Sequence, residues 1–409
     1  MNNKKHSVFN IIVIVAALGY FVDIYDLLLF GIIRVKSLTS LGLDSLQVRD
    51  SGEFIISIQM AGLLIGGIIW GVMGDKKGRL SVLFGSIILY SIANIANGFV
   101  QTVNQYALVR FIAGVGLAGE LGAGITLVTE LLPKEKRGIG TSLVAGLGLV
   151  GAVVAYFISR EFDWRICYFI GGGLGLLLLI LRVSVFESGL YNQVKEMNVS
   201  RGNFFMFFNN RKRFKKYLLC ILIGLPTWYV IGVLVSFSKE FATPGNLNIS
   251  GPVEPGKAIM YAYASISAGG LLVGLISQWL KSRKKALYIF YAITALFILL
   301  FFTQQNGSPQ NMYLICAGLG FGTGCWSIFV TIGAEQFGTN LRATAATTIP
   351  NMVRGSLPLI IILFKYLRGP FDYVTAGWIT GLIIMFITVV AAVMSEETFH
   401  KDLNYVERD

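Results

Sequence analysis

Two aspartates stand three residues apart in an otherwise apolar stretch near the N-terminus, Asp23 and Asp26 in Gly19-Tyr-Phe-Val-Asp-Ile-Tyr-Asp-Leu27. This spacing places both carboxyl groups on one face of a helix. Two acids at mid-membrane depth cannot both ionise at low cost, so the pair is a candidate proton carrier. Asp23 is the deeper of the two and our first choice. The alternative is that neighbouring helices hold both acids by hydrogen bonds and neither titrates.

Buried charges recur in later apolar stretches. Arg110 and Glu120 lie about 15 Å apart along one helix, in a segment whose small residues permit close packing. Arg354 lies near the centre of another stretch and needs a counterion, either a protein acid or a carboxylate or phosphate of a substrate. The candidate cavity-lining residues are Tyr20, Tyr25, Gln59, Trp228, Tyr261, Tyr263 and Trp326. For each of these, packing in the core is the alternative.

A polar loop separates two apolar stretches with the sequence Gly71-Val-Met-Gly-Asp-Lys-Lys-Gly-Arg79. Gly78 permits a tight turn, Asp75 can cap a neighbouring helix N-terminus, and the cations favour the cytoplasm. An ordinary cationic turn is the alternative, although it needs no aspartate at this position.

An internal repeat connects the two halves of the chain. A shift of 205 residues aligns Glu130 and Arg137 with Glu335 and Arg342, keeping acid and base seven residues apart. Such pairs at helix ends could favour one conformation of the protein over another, or could simply complement the charge of the helix ends. The same shift places the basic segment 281–284 over the loop at 75–79, so the halves are diverged parallel repeats.

Composition explains where these residues must sit. The chain has 409 residues, 55% hydrophobic and 14% charged, and runs of 18 or more mainly apolar residues recur throughout. Each run can cross a hydrocarbon core about 30 Å thick as a helix. We therefore predict an all-α membrane protein with spans at 9–34, 51–73, 80–101, 104–130, 138–159, 164–186, 217–238, 257–280, 285–303, 311–333, 343–366 and 373–394.

Lys and Arg residues are divided unequally between the two sides, with 22 on the side of the termini and nine opposite. This asymmetry predicts cytoplasmic termini and explains the net charge of +12 without nucleic-acid binding. The predicted parts are an N-terminal six-helix bundle (1–186), a basic cytoplasmic linker (187–216), a C-terminal six-helix bundle (217–395) and a short cytoplasmic tail (396–409).

The loop Gly71–Arg79 resembles the loop signature of the major facilitator superfamily, although Leu80 replaces its final base. Asp23-Ile-Tyr-Asp26, together with Arg110 and Glu120, resembles its metabolite:proton, phosphate:proton and organic-ion branches. The resemblance implies two six-helix repeats with alternating access, a monomer and no cofactor. It also implies that Asp23, Arg110 and Glu120 serve proton coupling and substrate binding. Asp26 joins the proton-coupling candidates because of its spacing from Asp23, with a structural role as the alternative. The residues it implies for a conformational latch are Gly71, Asp75, Gly78, Arg79, Glu130, Arg137, Glu335 and Arg342.

We predict a proton-coupled symporter for uptake of a small organic anion or zwitterion, in a prokaryotic inner membrane. The segment 217–229 has no acid where phosphate porters carry one, which disfavours inorganic phosphate. An uncoupled facilitator or exchanger of the same fold is the alternative, and a transport-dead membrane sensor is less favoured. No catalytic or metal site is predicted, because His6 and His400 lie outside the spans and no P-loop pattern occurs. The four cysteines are predicted to pack as apolar residues.

Overall fold

The N-terminal half consists of helices. The computed structural model describes residues 11–77, 79–120, 122, 124, 128, 134–185, 204–399, 401 and 407. Its first helices are α1 (Ile11–Ser40), α2 (Ser45–Lys77), α3 (Arg79–Asn97), α4 (Val103–Leu117), α5 (Lys134–Glu161) and α6 (Trp164–Val185).

The C-terminal half repeats this helical pattern. Its helices are α7 (Arg211–Tyr229), α8 (Pro255–Leu280), α9 (Arg283–Thr303), α10 (Pro309–Thr323), α11 (Trp326–Glu335), α12 (Thr339–Gly355), α13 (Leu357–Leu367) and α14 (Tyr373–Met394). Helix α7 continues as a π-helix over Val230–Val235, and two short helices cover Met206–Asn209 and Ser238–Ala242.

Ten helical stretches among the described residues are long and apolar enough to cross a membrane. The predicted spans 80–101 and 104–130 correspond to α3 and α4, which offer fewer than 18 apolar helical residues within the described ranges. The all-helical membrane architecture is therefore confirmed, while the number of twelve spans stays a prediction.

The 205-residue repeat is visible in the helices themselves. After this shift, the start of α4 at Val103 falls within one residue of the start of α10 at Pro309. Glycines produce the same close packing in both halves, since a side chain at Gly114 would meet the Gln59 backbone and one at Gly320 would meet the Ala262 backbone. Each half therefore packs its second and fourth helices backbone to backbone.

Two predicted spans are broken into two helices each. The span predicted at 311–333 is interrupted between α10 and α11, where Gly324 bonds to the Phe321 carbonyl three residues back. The span predicted at 343–366 is interrupted between α12 and α13 at Ser356. Pro358 lies two residues further on, in the first turn of α13, and its missing N–H removes the helical hydrogen bond to the Arg354 carbonyl.

Two helix ends also differ from the prediction. Helix α1 runs to Ser40 instead of residue 34, and the Ser37 and Ser40 hydroxyls in this extension donate to carbonyls three residues back. Helix α7 begins at Arg211 instead of residue 217, because the Asn210 side chain accepts hydrogen bonds from the Lys212 and Arg213 backbone. Polar residues thus extend these helices beyond their apolar cores.

Candidate functional site

Asp23 and Arg354 meet at the boundary between the two halves. Asp23 projects from α1 and Arg354 from α12, and a carboxylate oxygen lies 4.0 Å from a guanidinium nitrogen. Both side chains are buried, with at most 1% exposed. The sequence prediction left the counterion of Arg354 open, and the structure supplies a protein acid from the opposite half.

This pair has unused hydrogen-bonding capacity. Within the described residues neither Asp23 oxygen has a hydrogen-bond donor, and the Arg354 Nε has no acceptor. A long bond of 3.5 Å joins Arg354 to Asn351 one turn away. Buried polar groups are normally satisfied, so the loosely paired Asp23 and Arg354 can each accept a further partner, such as a proton or an anion.

Aromatic side chains surround the pair. Tyr20 lies one turn from Asp23 on α1 and packs against Arg354 and Trp326. Tyr263 of α8 lies within electrostatic reach of Tyr20, Asp23 and Arg354. The lack of a side chain at Gly148 of α5 leaves room for the Tyr20 ring. The site therefore combines one acid, one cation and flat apolar surfaces contributed by both halves.

Arg110 lies in a second cluster inside the N-terminal half. Its guanidinium donates to Gln59 Oε1 and Asn94 Oδ1, each at 3.2 Å, and to the Asp26 carbonyl at 2.9 Å. The Gln59 amide in turn donates to the Leu27 carbonyl at 3.0 Å. The predicted substrate residues Arg110 and Gln59 thus bond to their own half, and a substrate would have to displace those bonds.

The Asp26 carboxylate borders this cluster. It lies within electrostatic reach of Arg110, yet neither of its oxygens has a hydrogen-bond donor within the described residues. Because all partners bonded to Arg110 are neutral acceptors, Asp26 is a nearby source of compensating negative charge. Asp23 and Asp26 therefore have different surroundings, with one facing the other half and one facing the interior of its own half.

Glu120 is ion-paired with Arg182 of α6, a residue that the sequence analysis did not single out. Both side chains are 1% exposed, and both terminal nitrogens of Arg182 donate to the carboxylate. A side chain at Gly19 would collide with both groups, so α1 passes close over the pair. A basic residue inside the predicted span 164–186 was the available signal, since an intramembrane cation requires a partner.

The other predicted cavity residues lie in different surroundings. Tyr261 stacks on Tyr313 at 5.7 Å and accepts a bond from Gln310, so it packs against α10 and not with Tyr263. Trp228 of α7 is buried, and its indole N–H has no acceptor within the described residues. Tyr25 donates to the Cys167 carbonyl at 2.9 Å, which is a packing role.

The predicted latch residues are only partly visible. Gly71 lies against Thr348 of α12, on the opposite half. Glu335 pairs with Arg283 at 3.0 Å and accepts from the Thr398 hydroxyl at 2.6 Å, while Arg342 donates to the Phe337 carbonyl at 3.4 Å. Gly78, Glu130 and the side chains of Asp75, Arg79 and Arg137 lie outside the described residues.

Among the described residues, no three His, Cys, Asp or Glu side chains are close enough to share a metal ion. The four cysteines are free and buried, as expected of packing residues.

Comparison with known proteins decides the family. Residues 9–360 match the family model of the Major Facilitator Superfamily. The chain belongs to this superfamily. It is accordingly a multi-pass membrane transporter and not an enzyme, and its predicted family resemblance is confirmed.

Several bacterial transporters resemble this member of the superfamily, two of them along most of their length and one over less than half. The niacin transporter NiaP of Acinetobacter baylyi is 25% identical over 96% of this chain and 95% of its own. The gentisate transporter of Corynebacterium glutamicum is 24% identical over 79% of this chain and 73% of its own. The benzoate transport protein of Acinetobacter baylyi is 30% identical over 42% of this chain and 38% of its own.

Solved structures show the same fold. The xylose transporter XylE from E. coli, in an inward-open conformation, superimposes with a TM-score of 0.72 at 16% sequence identity. The match covers 97% of this chain and 98% of that one.

Proposed function

We propose that this transporter is a proton-coupled symporter that takes up a small organic anion, with Asp23 as the proton carrier and Arg354 as the anion-binding cation. The observation that carries the proposal is the buried contact of 4.0 Å between these two residues across the two halves. Their unused polar atoms distinguish this pair from the tightly bonded Glu120 and Arg182.

Coupling follows from competition for one cation. In the empty protein the Asp23 carboxylate balances the Arg354 charge in a buried site. When a substrate carboxylate binds Arg354, it balances the Arg354 charge in place of Asp23. An ionised Asp23 beside that carboxylate would then be a second negative charge, which is energetically costly. Asp23 then binds a proton, so substrate and proton occupy the site together and are released together.

The lining of the site and the relatives' names favour a small aromatic carboxylate. Tyr20, Trp326 and Tyr263 provide flat apolar surfaces beside a guanidinium, which pairs well with a planar carboxylate. Relatives are named as transporters of niacin, benzoate and gentisate. These compounds combine an aromatic ring with a carboxylate, and we place them first among the candidate substrates.

The proposal includes the topology predicted from charge: twelve spans, both termini in the cytoplasm, a bacterial inner membrane and a monomer. The bacterial relatives and the concentration of Lys and Arg on the side of the termini support it. Within the N-terminal half, proton coupling is assigned first to Asp23 and second to Asp26. Glu120 is the third candidate, because Arg182 already neutralises it.

An uncoupled facilitator or exchanger is the second candidate. In that mechanism Asp23 would remain ionised and paired to Arg354 throughout the cycle. The long contact and the free carboxylate oxygens favour coupling, because a permanent structural pair is expected to make close hydrogen bonds.

Uptake into proteoliposomes tests the proposal. We would measure accumulation of labelled nicotinate, benzoate and gentisate with and without an inward proton gradient, in the wild type and in Asp23→Asn. The proposal expects gradient-driven accumulation in the wild type and only passive exchange in the variant. Asp50→Asn is the matched control, because Asp50 is exposed and pairs with its neighbour Arg49. Equal, gradient-independent flux in the wild type and in Asp23→Asn would exclude proton coupling and favour the uncoupled facilitator.

A further inference from the structure

A group of cations opens helix α7: Arg211, Lys212, Arg213, Lys215 and Lys216. Two of them bind the C-terminal tail. Arg213 lies 3.5 Å from Glu407, and Lys216 lies 3.6 Å from Glu396. This tail follows α14, so the start of α7 lies at the same end of the helix bundle as the C-terminus.

The other three cations, Arg211, Lys212 and Lys215, are exposed. None of their side chains forms an ion pair or a hydrogen bond within the described residues. Arg211 and Lys215 are four residues apart and therefore share one face of α7. Phe214 and Leu218 lie on the same face at helical spacing, and they are 40% and 41% exposed. Two cations without an acidic partner are thus followed directly by exposed apolar side chains.

This face of α7 lies where a membrane has its head groups. The apolar helical stretch Arg211–Val235 has 25 residues. At 1.5 Å per residue it measures about 37 Å, which exceeds a hydrocarbon core of about 30 Å, so its first turns extend into the head-group region. Phe208, in the short helix before α7, is 50% exposed, and its ring centre lies 5.7 Å from that of Phe214. Exposed aromatic rings beside cations are typical of this depth.

We propose that the exposed cations at the start of α7 bind an anionic phospholipid. Arg211 and Lys215 hold its phosphate, and Lys212 adds positive charge beside them. The acyl chains lie along Phe214 and Leu218. Unbalanced positive charge favours a head group with a net negative charge, such as phosphatidylglycerol, over phosphatidylcholine, whose own cation offsets its phosphate.

The arrangement of the five cations distinguishes this site from charge that only sets topology. Topogenic cations are counted within a loop and can lie on any side of it. Here the cations divide by face, because Arg213 and Lys216 bind the tail while Arg211 and Lys215 share the exposed face with apolar side chains. Those apolar side chains also favour a lipid over a free phosphate, which has nothing to place against them.

Lipid titration tests the site. Purified protein in detergent would receive dioleoyl phosphatidylglycerol or dioleoyl phosphatidylcholine, with bound lipid counted by native mass spectrometry. For the first lipid bound, we expect the wild type to prefer phosphatidylglycerol about tenfold, equivalent to about 1.4 kcal/mol. Arg211→Gln with Lys215→Gln should abolish this preference. Phe214→Ser should weaken the binding of both lipids alike, because it removes a contact with the chains and not with the head group.

Lys281→Gln with Lys285→Gln is the matched control, since it removes the same charge from two exposed lysines at the end of the bundle where Glu397 of the tail binds. This control should keep the preference. Arg211→Lys with Lys215→Arg should also keep it, which separates loss of charge from misfolding.

Excess glycerol 3-phosphate, which carries the phosphate without acyl chains, should not displace the bound lipid. The proposal would be overturned by a preference that survives in the double glutamine variant, by an equal loss in the lysine control, or by displacement with glycerol 3-phosphate. The titration involves neither transport nor protons, so its result is independent of the uptake experiment.

Discussion

At the scale of single residues, three buried acids in one half have three different environments. Asp23 faces Arg354 from the other half. Asp26 lies beside Arg110, whose hydrogen-bond acceptors are all uncharged. Glu120 forms an ion pair with Arg182. The sequence identified all three acids, and it identified Arg354, because charged residues stand out in apolar stretches. Their partners could not be predicted, since pairing depends on helix rotation and register in the bundle and not on spacing along the chain.

The first residue-scale prediction concerns Arg354. Arg354→Lys keeps the charge but loses the planar fork that binds a carboxylate with two hydrogen bonds. We expect KM for an anionic substrate to rise about tenfold with a smaller change in kcat, measured from initial uptake rates. Arg160→Lys, at an exposed arginine, is the control. An unchanged KM would mean that Arg354 does not bind the substrate.

The second residue-scale prediction concerns the ion pair between Glu120 and Arg182. Arg182→Met leaves a buried carboxylate without its cation and should lower the free energy of unfolding by about 3–5 kcal/mol. Adding Glu120→Gln removes the stranded charge, so the double variant should recover part of that loss. Denaturant unfolding in detergent measures both effects. Strictly additive losses would mean that the two side chains do not act as a pair.

At the scale of elements, hydropathy was sufficient to locate the apolar core of each helix, since long apolar runs have no other stable state in lipid. It did not locate the breaks at Gly324 and Ser356, because a proline or glycine inside a span permits a break without requiring one. Helix ends were also missed at Ser40 and Arg211, where polar side chains cap helices outside the apolar region.

The C-terminal tail provides the element-scale prediction. Burial would raise the pKa of Glu397, but hydrogen bonds from Ser282 and from the Arg283, Phe399 and Lys284 backbone hold it below its ordinary value. The ionised form therefore stabilises the fold at pH values above the unfolded pKa, and this contribution is lost as the pH falls through the folded pKa. The Glu397 carboxylate thereby ties the tail to the start of α9.

Glu397→Gln should accordingly lower Tm at about pH 7 and have a smaller effect at about pH 3, where protonation of the native carboxylate removes part of the difference. Thermal unfolding at both pH values gives the comparison. Glu161→Gln, at an exposed acid on the end of α5, should change Tm little at either pH. A loss of the same size at both pH values would mean that charge on Glu397 is not what holds the tail.

At the scale of the whole molecule, the two halves repeat one helical arrangement and meet along α2 with α12 and α5 with α8. Asn351 donates to the Ala118 carbonyl at 2.8 Å, and Ser267 donates to the Gly146 carbonyl at 3.3 Å across this boundary. The candidate site lies on the boundary. We propose that rocking of the halves changes access to Asp23 and Arg354 while leaving each half intact.

The central claim is that a proton accompanies the substrate on Asp23, and substrate-dependent proton movement tests it most directly. Proteoliposomes containing a pH-sensitive dye and no imposed gradient would receive external nicotinate, benzoate or gentisate. The account predicts that the wild type acidifies the lumen faster than protein-free vesicles do when one of these compounds is transported. Asp23→Asn should acidify it no faster than protein-free vesicles, although that variant still exchanges substrate. Substrate entry without acidification in the wild type, or equal acidification in Asp23→Asn, would contradict it.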